Sequence, residues 1–179
     1  THIDTPYRIK ADLDKSGEFE DIALQTNYDF DYSRAITGGL NVPFFSIYLP
    51  AQTEEEGTSF ALANELIDLM NSIISQNNDK FFFVDTSTYL GNLPGQNLIG
   101  IAYGMENGAA LEGNLSNVTY FYNKGIRYIT LTHAKSNHIS DSSYDANKQW
   151  GGLSNFGKTL IPEMNRVGII VDISHVSDP

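Results

Sequence analysis

The run Val42-Pro-Phe-Phe-Ser-Ile-Tyr-Leu49 constrains the fold most tightly. A strand with one face in water alternates apolar and polar residues, whereas this one is apolar almost throughout and demands cover on both faces. Helices packed on a parallel sheet supply such cover. The neighbouring residues agree with that reading. Glu54, Glu55 and Glu56 place negative charge where the N-terminal end of a helix favours it. Ala63, Leu66, Ile67, Met70, Ile73 and Ile74 then recur at the spacing of one buried helical face.

The alternation continues along the chain. Phe81-Phe-Phe-Val84 is a candidate strand, and residues 98–104 form another that ends at Met105-Glu106-Asn107-Gly108. A second helix is expected over 114–124, with Leu115, Val118, Phe121 and Tyr122 inward and Gly125 as its stop. Ile126-Arg-Tyr-Ile-Thr-Leu-Thr132 reads as a strand ending at His133. A third helix starts at the N-cap Ser154 and buries Phe156, Leu160, Ile161, Met164 and Val167. Pro162 interrupts its bonding, so a kink or a later start is expected. Gly168 closes it, and residues 169–174 form the last strand. Residues 1–6 read as a strand with its exit loop, and 10–35 as a polar stretch of little periodicity. The pattern is α/β with a parallel sheet and about five strands, fewer than the eight of a closed barrel. One domain is expected over 1–179, with both ends read as the boundaries of a longer fold.

Composition excludes several functions. The net charge of −11 and eleven scattered basic residues argue against nucleic acid as partner. No apolar run has the length of a membrane span. Without cysteine there is neither a disulfide framework nor thiolate chemistry, so any metal must be held by His, Asp or Glu. The compartment stays open between cytosol and periplasm, and no signal peptide is visible. Asn114-Leu-Ser116 and Asn117-Val-Thr119 match glycosylation acceptors but fall at or within the second helix.

Three of the four histidines share one kind of address. His2, His133 and His175 each follow a strand, as do Asp4 and Glu106, and loops at the C-terminal strand ends build the active sites of parallel α/β folds. His2 and Asp4, two apart, offer one nitrogen and one oxygen donor from the same side of a strand. Glu106 has two carboxylate oxygens and could bridge two metals, with His175 on the second. Two cations sharing a water would yield hydroxide at neutral pH and polarise a carbonyl. Each histidine taken singly could instead be a loop or core residue satisfied by hydrogen bonds. His138 reads as an exposed loop residue. Asp172 reads either as a group orienting a ligand or as a plain polar strand residue. Tyr48 and Tyr103 read as core aromatics that could also line a pocket.

These blocks resemble the renal or membrane dipeptidase family, the M19 metallopeptidases. The similarity runs through Thr1-His-Ile-Asp-Thr-Pro6, 43–50, 101–108, Gly125-Ile-Arg-Tyr-Ile-Thr-Leu-Thr-His133 and 152–158. It ends in the most specific block, Glu163-Met-Asn-Arg-Val-Gly-Ile-Ile-Val-Asp-Ile-Ser-His-Val-Ser-Asp178. The resemblance implies a (β/α)8 TIM-like barrel with two zinc ions that hydrolyses dipeptides, and the family's substrates include dipeptides with a C-terminal D-residue. It implies His2 and Asp4 on the first zinc, Glu106 bridging and His175 on the second. It casts His133 as a substrate contact that stabilises the oxyanion, not as a ligand. A second zinc-binding histidine, a substrate-binding arginine and a proton-shuttling aspartate of the family are not found, so the 179 residues alone are expected to be inactive. The expected partner is a dipeptide, and a homodimer is the assembly considered. Two alternatives stand beside this reading. A different binuclear amidohydrolase would call for a carboxylated lysine or extra histidines at the rim, and a non-catalytic barrel would have lost its ligands.

Overall fold

The computed structural model describes residues 2–85 and 97–178. Its elements are β1 (His2–Ile3), α1 (Thr5–Ser16), α2 (Tyr32–Thr37), β2 (Phe44–Tyr48), α3 (Gln52–Glu55), α4 (Ser59–Gln76), β3 (Phe81–Phe83) and β4 (Ile99–Glu106). A 3-10 turn at Gly108–Leu111 leads to α5 (Ser116–Asn123), β5 (Ile126–Thr130), α6 (Asn155–Val167) and β6 (Ile170–Asp172). The parallel α/β expectation holds, with six strands among the described residues where about five were counted. The chain divides into two compact units, residues 1–47 with 66–103, and residues 48–65 with 104–179.

In the first unit β1 pairs in parallel with β2, His2 opposite Phe44, and β3 pairs in parallel with β4, Phe81 opposite Ile99. Leu66, Ile67 and Met70 of α4 are fully buried, as the helical spacing requires. Phe30 packs edge-on against Phe45 at 5.0 Å, and Tyr103 is buried with its hydroxyl donating to Asn71 Oδ1 at 2.9 Å. Tyr103 is therefore a core residue.

Two expectations for the N-terminal region are corrected here. The opening strand is two residues long, and α1 occupies the stretch read as loop and polar chain. Ile9 is its one fully buried apolar anchor, so hydrophobic periodicity is nearly silent. Its signals lay elsewhere: Pro6 in the first turn, the pairs Arg8–Asp12 and Lys10–Asp14 at i,i+4, and left-handed Gly17 at the stop.

In the second unit β5 pairs in parallel with β6, Tyr128 opposite Ile170. Helix α5 buries Val118 and Phe121, but Leu115, expected inward, stands before the first turn and is half-exposed. Asn114 thus lies outside the helix and Asn117 within it. Ser154 caps α6 as expected, accepting from Gly157 N at 2.9 Å. Pro162 lies inside an unbroken α6, on its exposed face, so the ring enters without ending the helix. Gly104 is required where it stands: a Cβ there would sit 1.9 Å from the Tyr128 ring.

The segment between β5 and α6 has little regular structure, yet one buried carboxylate orders it. Asp141 Oδ1 accepts from Gln149 N at 2.7 Å, and Oδ2 accepts from Trp150, Gly151 and Gly152 N at 3.0, 2.8 and 3.2 Å. Burial alone would raise its pKa, but the four N–H donors outweigh it and hold the group at about 2 against an ordinary 3.8.

Two predictions follow from these contacts. Gly104→Ala forces the Tyr128 ring aside and should lower unfolding free energy by about 2 kcal/mol or more in a denaturant titration. Asp141→Asn turns an amide NH2 or loses a charge toward four N–H donors and should cost on the order of 3 kcal/mol at neutral pH. Because the folded pKa is depressed, the Asp141 contribution is present above 3.8 and fades as pH falls toward 2. The stability gap between parent and variant should therefore narrow over that interval, and a gap independent of pH would contradict the assignment.

Candidate metal centre

Glu106 ends β4, a strand whose eight residues are all buried. Its side chain is 9 % exposed, so its charge needs compensation from close neighbours. The backbone around it is pinned. Leu49 N donates to the Glu106 carbonyl at 3.0 Å, and Asn107 Nδ2 donates to the Leu49 carbonyl at 2.9 Å. Asn107 adopts φ +74°, a conformation Asn tolerates better than most residues, which turns the chain sharply after the carboxylate. Asn137 completes the clamp, donating through Nδ2 to Asn107 Oδ1 at 2.9 Å and to the Leu131 carbonyl at 2.7 Å.

Two imidazoles meet this carboxylate. His175 Nε2 lies 3.1 Å and His133 Nε2 3.6 Å from Glu106 Oε1. The two rings contact edge to face at 4.6 Å. Tyr48, at the end of β2, packs edge-on against His133 at 4.9 Å with its hydroxyl 3.5 Å from Nδ1. Tyr48 is thus a site residue, where core packing alone was the default expectation. On the far side, the Tyr144 ring lies 5.8 Å from that of His175.

The loop after His133 ties both histidine-bearing turns together. Ser142 Oγ donates to the His133 carbonyl at 2.5 Å, and Ser143 N donates to the His175 carbonyl at 2.9 Å. Asp172 supports the same turn from β6. Its Oδ1 accepts from Ser174 N and Oγ at 3.1 and 2.6 Å, and its Oδ2 from Thr130 Oγ1 at 2.5 Å. Burial would raise the Asp172 pKa, and these bonds with the nearby His175 bring it below the usual value. Asp172 thus holds the turn that carries His175 through Ser174.

In the first unit, His2 Nε2 and Asp4 Oδ1 stand 2.8 Å apart with side chains 37 % and 65 % exposed. Asp4 precedes α1 in the capping position, yet its carboxylate makes no capping bond to the helix and turns to His2 instead. A cavity of about 470 Å³ borders the pair, lined also by Arg8, Asn27 and Asp29.

His138 is corrected from an exposed loop residue to a half-buried one. Its backbone N and its Nδ1 both bond Glu54 Oε1, at 2.9 and 2.8 Å, and its ring packs on Phe156. It does not join Glu106. Tyr144, Ser142 and Ser143 were not anticipated, because nothing in a serine-rich loop says which carbonyls it will reach.

The donors fit a cation. Two ligands held about 2.0 Å from a tetrahedral zinc stand roughly 3.3 Å apart, and the 3.1 Å between His175 Nε2 and Glu106 Oε1 is close to that spacing. Either tautomer leaves His175 under-satisfied within the protein, since buried Nδ1 has no hydrogen-bond partner among the described residues. Imidazole beside carboxylate suits zinc over magnesium or calcium.

Comparison with known proteins identifies the family and the fold. The chain is 32 % identical to mouse Dipeptidase 3 over 158 residues, covering 86 % of the chain and 30 % of that protein. A solved structure described as an amidohydrolase from Pseudomonas aeruginosa is 26 % identical with a TM-score of 0.69, matching 81 % of the chain and 42 % of its own. A metallo peptidase from Rhodobacter sphaeroides, liganded with a phosphinate mimic of the dipeptide L-Ala-D-Ala, superposes with a TM-score of 0.79 at 17 % identity over 98 % of the chain and 57 % of its own. That likeness shows the fold, the TIM-like (β/α) barrel. The chain thus spans well under two thirds of the relatives it matches. The profile of the membrane dipeptidase family matches residues 1–179 from end to end, and the chain belongs to that family, peptidase family M19.

Proposed function

We propose that this chain forms part of a zinc-dependent dipeptidase and contributes His2, Asp4, Glu106 and His175 as metal ligands. The observation that supports it most is the meeting of a buried carboxylate with two imidazoles at Glu106, His133 and His175. In this reading His2 and Asp4 belong to the first zinc, Glu106 is shared, and His175 belongs to the second. Two zinc ions, when bound, supply Lewis acidity that acidifies a shared water and polarises the scissile carbonyl.

The remaining roles fall to the chain's own side chains. With His133 Nδ1 as the acceptor of the Tyr48 hydroxyl 3.5 Å away, the ring would carry its proton on Nε2. From there His133 donates to the oxyanion that develops on the substrate carbonyl. The longer of the two distances to Glu106 suits that role better than ligation. Asn107 and Asn137 keep Glu106 aimed, and Asp172 keeps the His175 turn aimed. The substrate is a dipeptide, with a C-terminal D-residue accepted, as supported by the dipeptide mimic held by the Rhodobacter relative. The chain spans only part of its relatives' length, so activity is read for the polypeptide that includes it. By itself the 179-residue chain is inactive in this reading.

The reading predicts close to two zinc ions per polypeptide by elemental analysis, with hydrolysis lost on chelation and restored by zinc. Glu106→Gln should lower zinc content and reduce dipeptide hydrolysis by more than about 100-fold. Two zinc ions and undiminished turnover in that variant would defeat the assignment. Hydrolysis of N-acyl amino acids without hydrolysis of dipeptides would instead favour an amidohydrolase of other specificity.

A further inference from the structure

Tyr144 is the most exposed of the large apolar or aromatic side chains noted on this protein's surface, at 73 %, and it stands beside the metal centre. Exposed aromatic rings are ordinary when scattered and mobile. The backbone that carries this one is tethered. Its backbone N donates to Ser142 Oγ at 3.2 Å, and that same hydroxyl bonds the His133 carbonyl. The preceding residue, Ser143, bonds the His175 carbonyl, and Ser142 bridges to Val176. The ring is thereby carried on a segment fastened to both histidine turns, with the Asp141 knot adjoining it.

Its position places it one imidazole from the reacting groups. The Tyr144 ring is 5.8 Å from that of His175, whose Nε2 is 3.1 Å from Glu106. The two rings are tilted by 44°, so they diverge rather than stack flat, and the phenol keeps apolar surface for a third group. A ring carried on a tethered backbone gains from removing its apolar surface from water on contact. The negative face of the phenol disfavours a carboxylate.

We infer that Tyr144 is a specificity-determining residue of this site, covering an apolar side chain of the bound dipeptide against His175. The inference rests on the dipeptidase reading. It adds a preference: dipeptides with leucine-sized or aromatic side chains are favoured over glycylglycine, and Tyr144 is a source of that preference.

The test measures kcat and KM for glycylglycine and for leucine- and phenylalanine-containing dipeptides, using the polypeptide that includes this chain. Parent, Tyr144→Ala and Tyr144→Phe are compared, with zinc content and circular dichroism recorded for each. Tyr144→Ala should lower the ratio of kcat/KM for bulky over small substrates about tenfold, mostly through KM. Tyr144→Phe, which keeps the ring, should hold the ratio within about twofold. An unchanged ratio in the alanine variant overturns the inference, and so does an equal fall for every substrate, which would mark a contact to the backbone or amino group. If the parent hydrolyses no dipeptide, the functional reading itself has failed, a result distinct from either.

Discussion

A buried carboxylate is costly unless positive charge or hydrogen-bond donors surround it, and Glu106 imposes that condition on the second unit. The strand that carries it is buried along its whole length, so the side chain cannot relax into water. Two imidazoles approach it, each delivered by the turn after a different strand. Holding them there takes further polar groups, which must themselves be satisfied. Asn107 and Asn137 meet that requirement with bonds to the Leu49 and Leu131 carbonyls and to each other. Replacing either would leave buried donors and acceptors unpaired, and a cost at the centre would follow from a change one residue or more away.

The irregular segment between β5 and α6 solves the same problem without regular structure. Its order comes from Asp141, a second buried carboxylate, satisfied by four backbone N–H groups rather than by cations. Glu106 and Asp141 are thus both buried acids, with opposite consequences. Asp141 is saturated with donors and is structural. Glu106 faces two imidazoles, and among the described residues Nδ1 of one of them, His175, is buried without a hydrogen-bond partner. That contrast distinguishes a carboxylate saturated within the fold from one proposed to hold a metal.

Much of this was legible in the sequence because it depends on local pattern. The apolar run at 42–49, the stripe on α4, the Ser154 cap and the Gly168 stop each write their element into a few adjacent residues. The positions of His133 and His175 after strands, and of Glu106 at the end of one, were legible for the same reason, since a parallel sheet brings successive C-terminal ends to one side. Helix α1 was not, because it buries one large apolar side chain and relies on charge pairs that a hydrophobic count ignores. Nor were the bonds of Ser142, Ser143 and His138, which join residues through the folded chain rather than along it. Tyr144 looked like any loop tyrosine, and its neighbour His175 is 31 positions away.

Glu106 is proposed to be shared by two metal ions, with His175 on one of them. Anomalous scattering at the zinc absorption edge, from crystals of the polypeptide that includes this chain, is the sharpest check. Two peaks are expected, both within bonding distance of the Glu106 carboxylate and one of them also bonded to His175. A single peak away from Glu106, or none at the cluster in zinc-replete active protein, would contradict it.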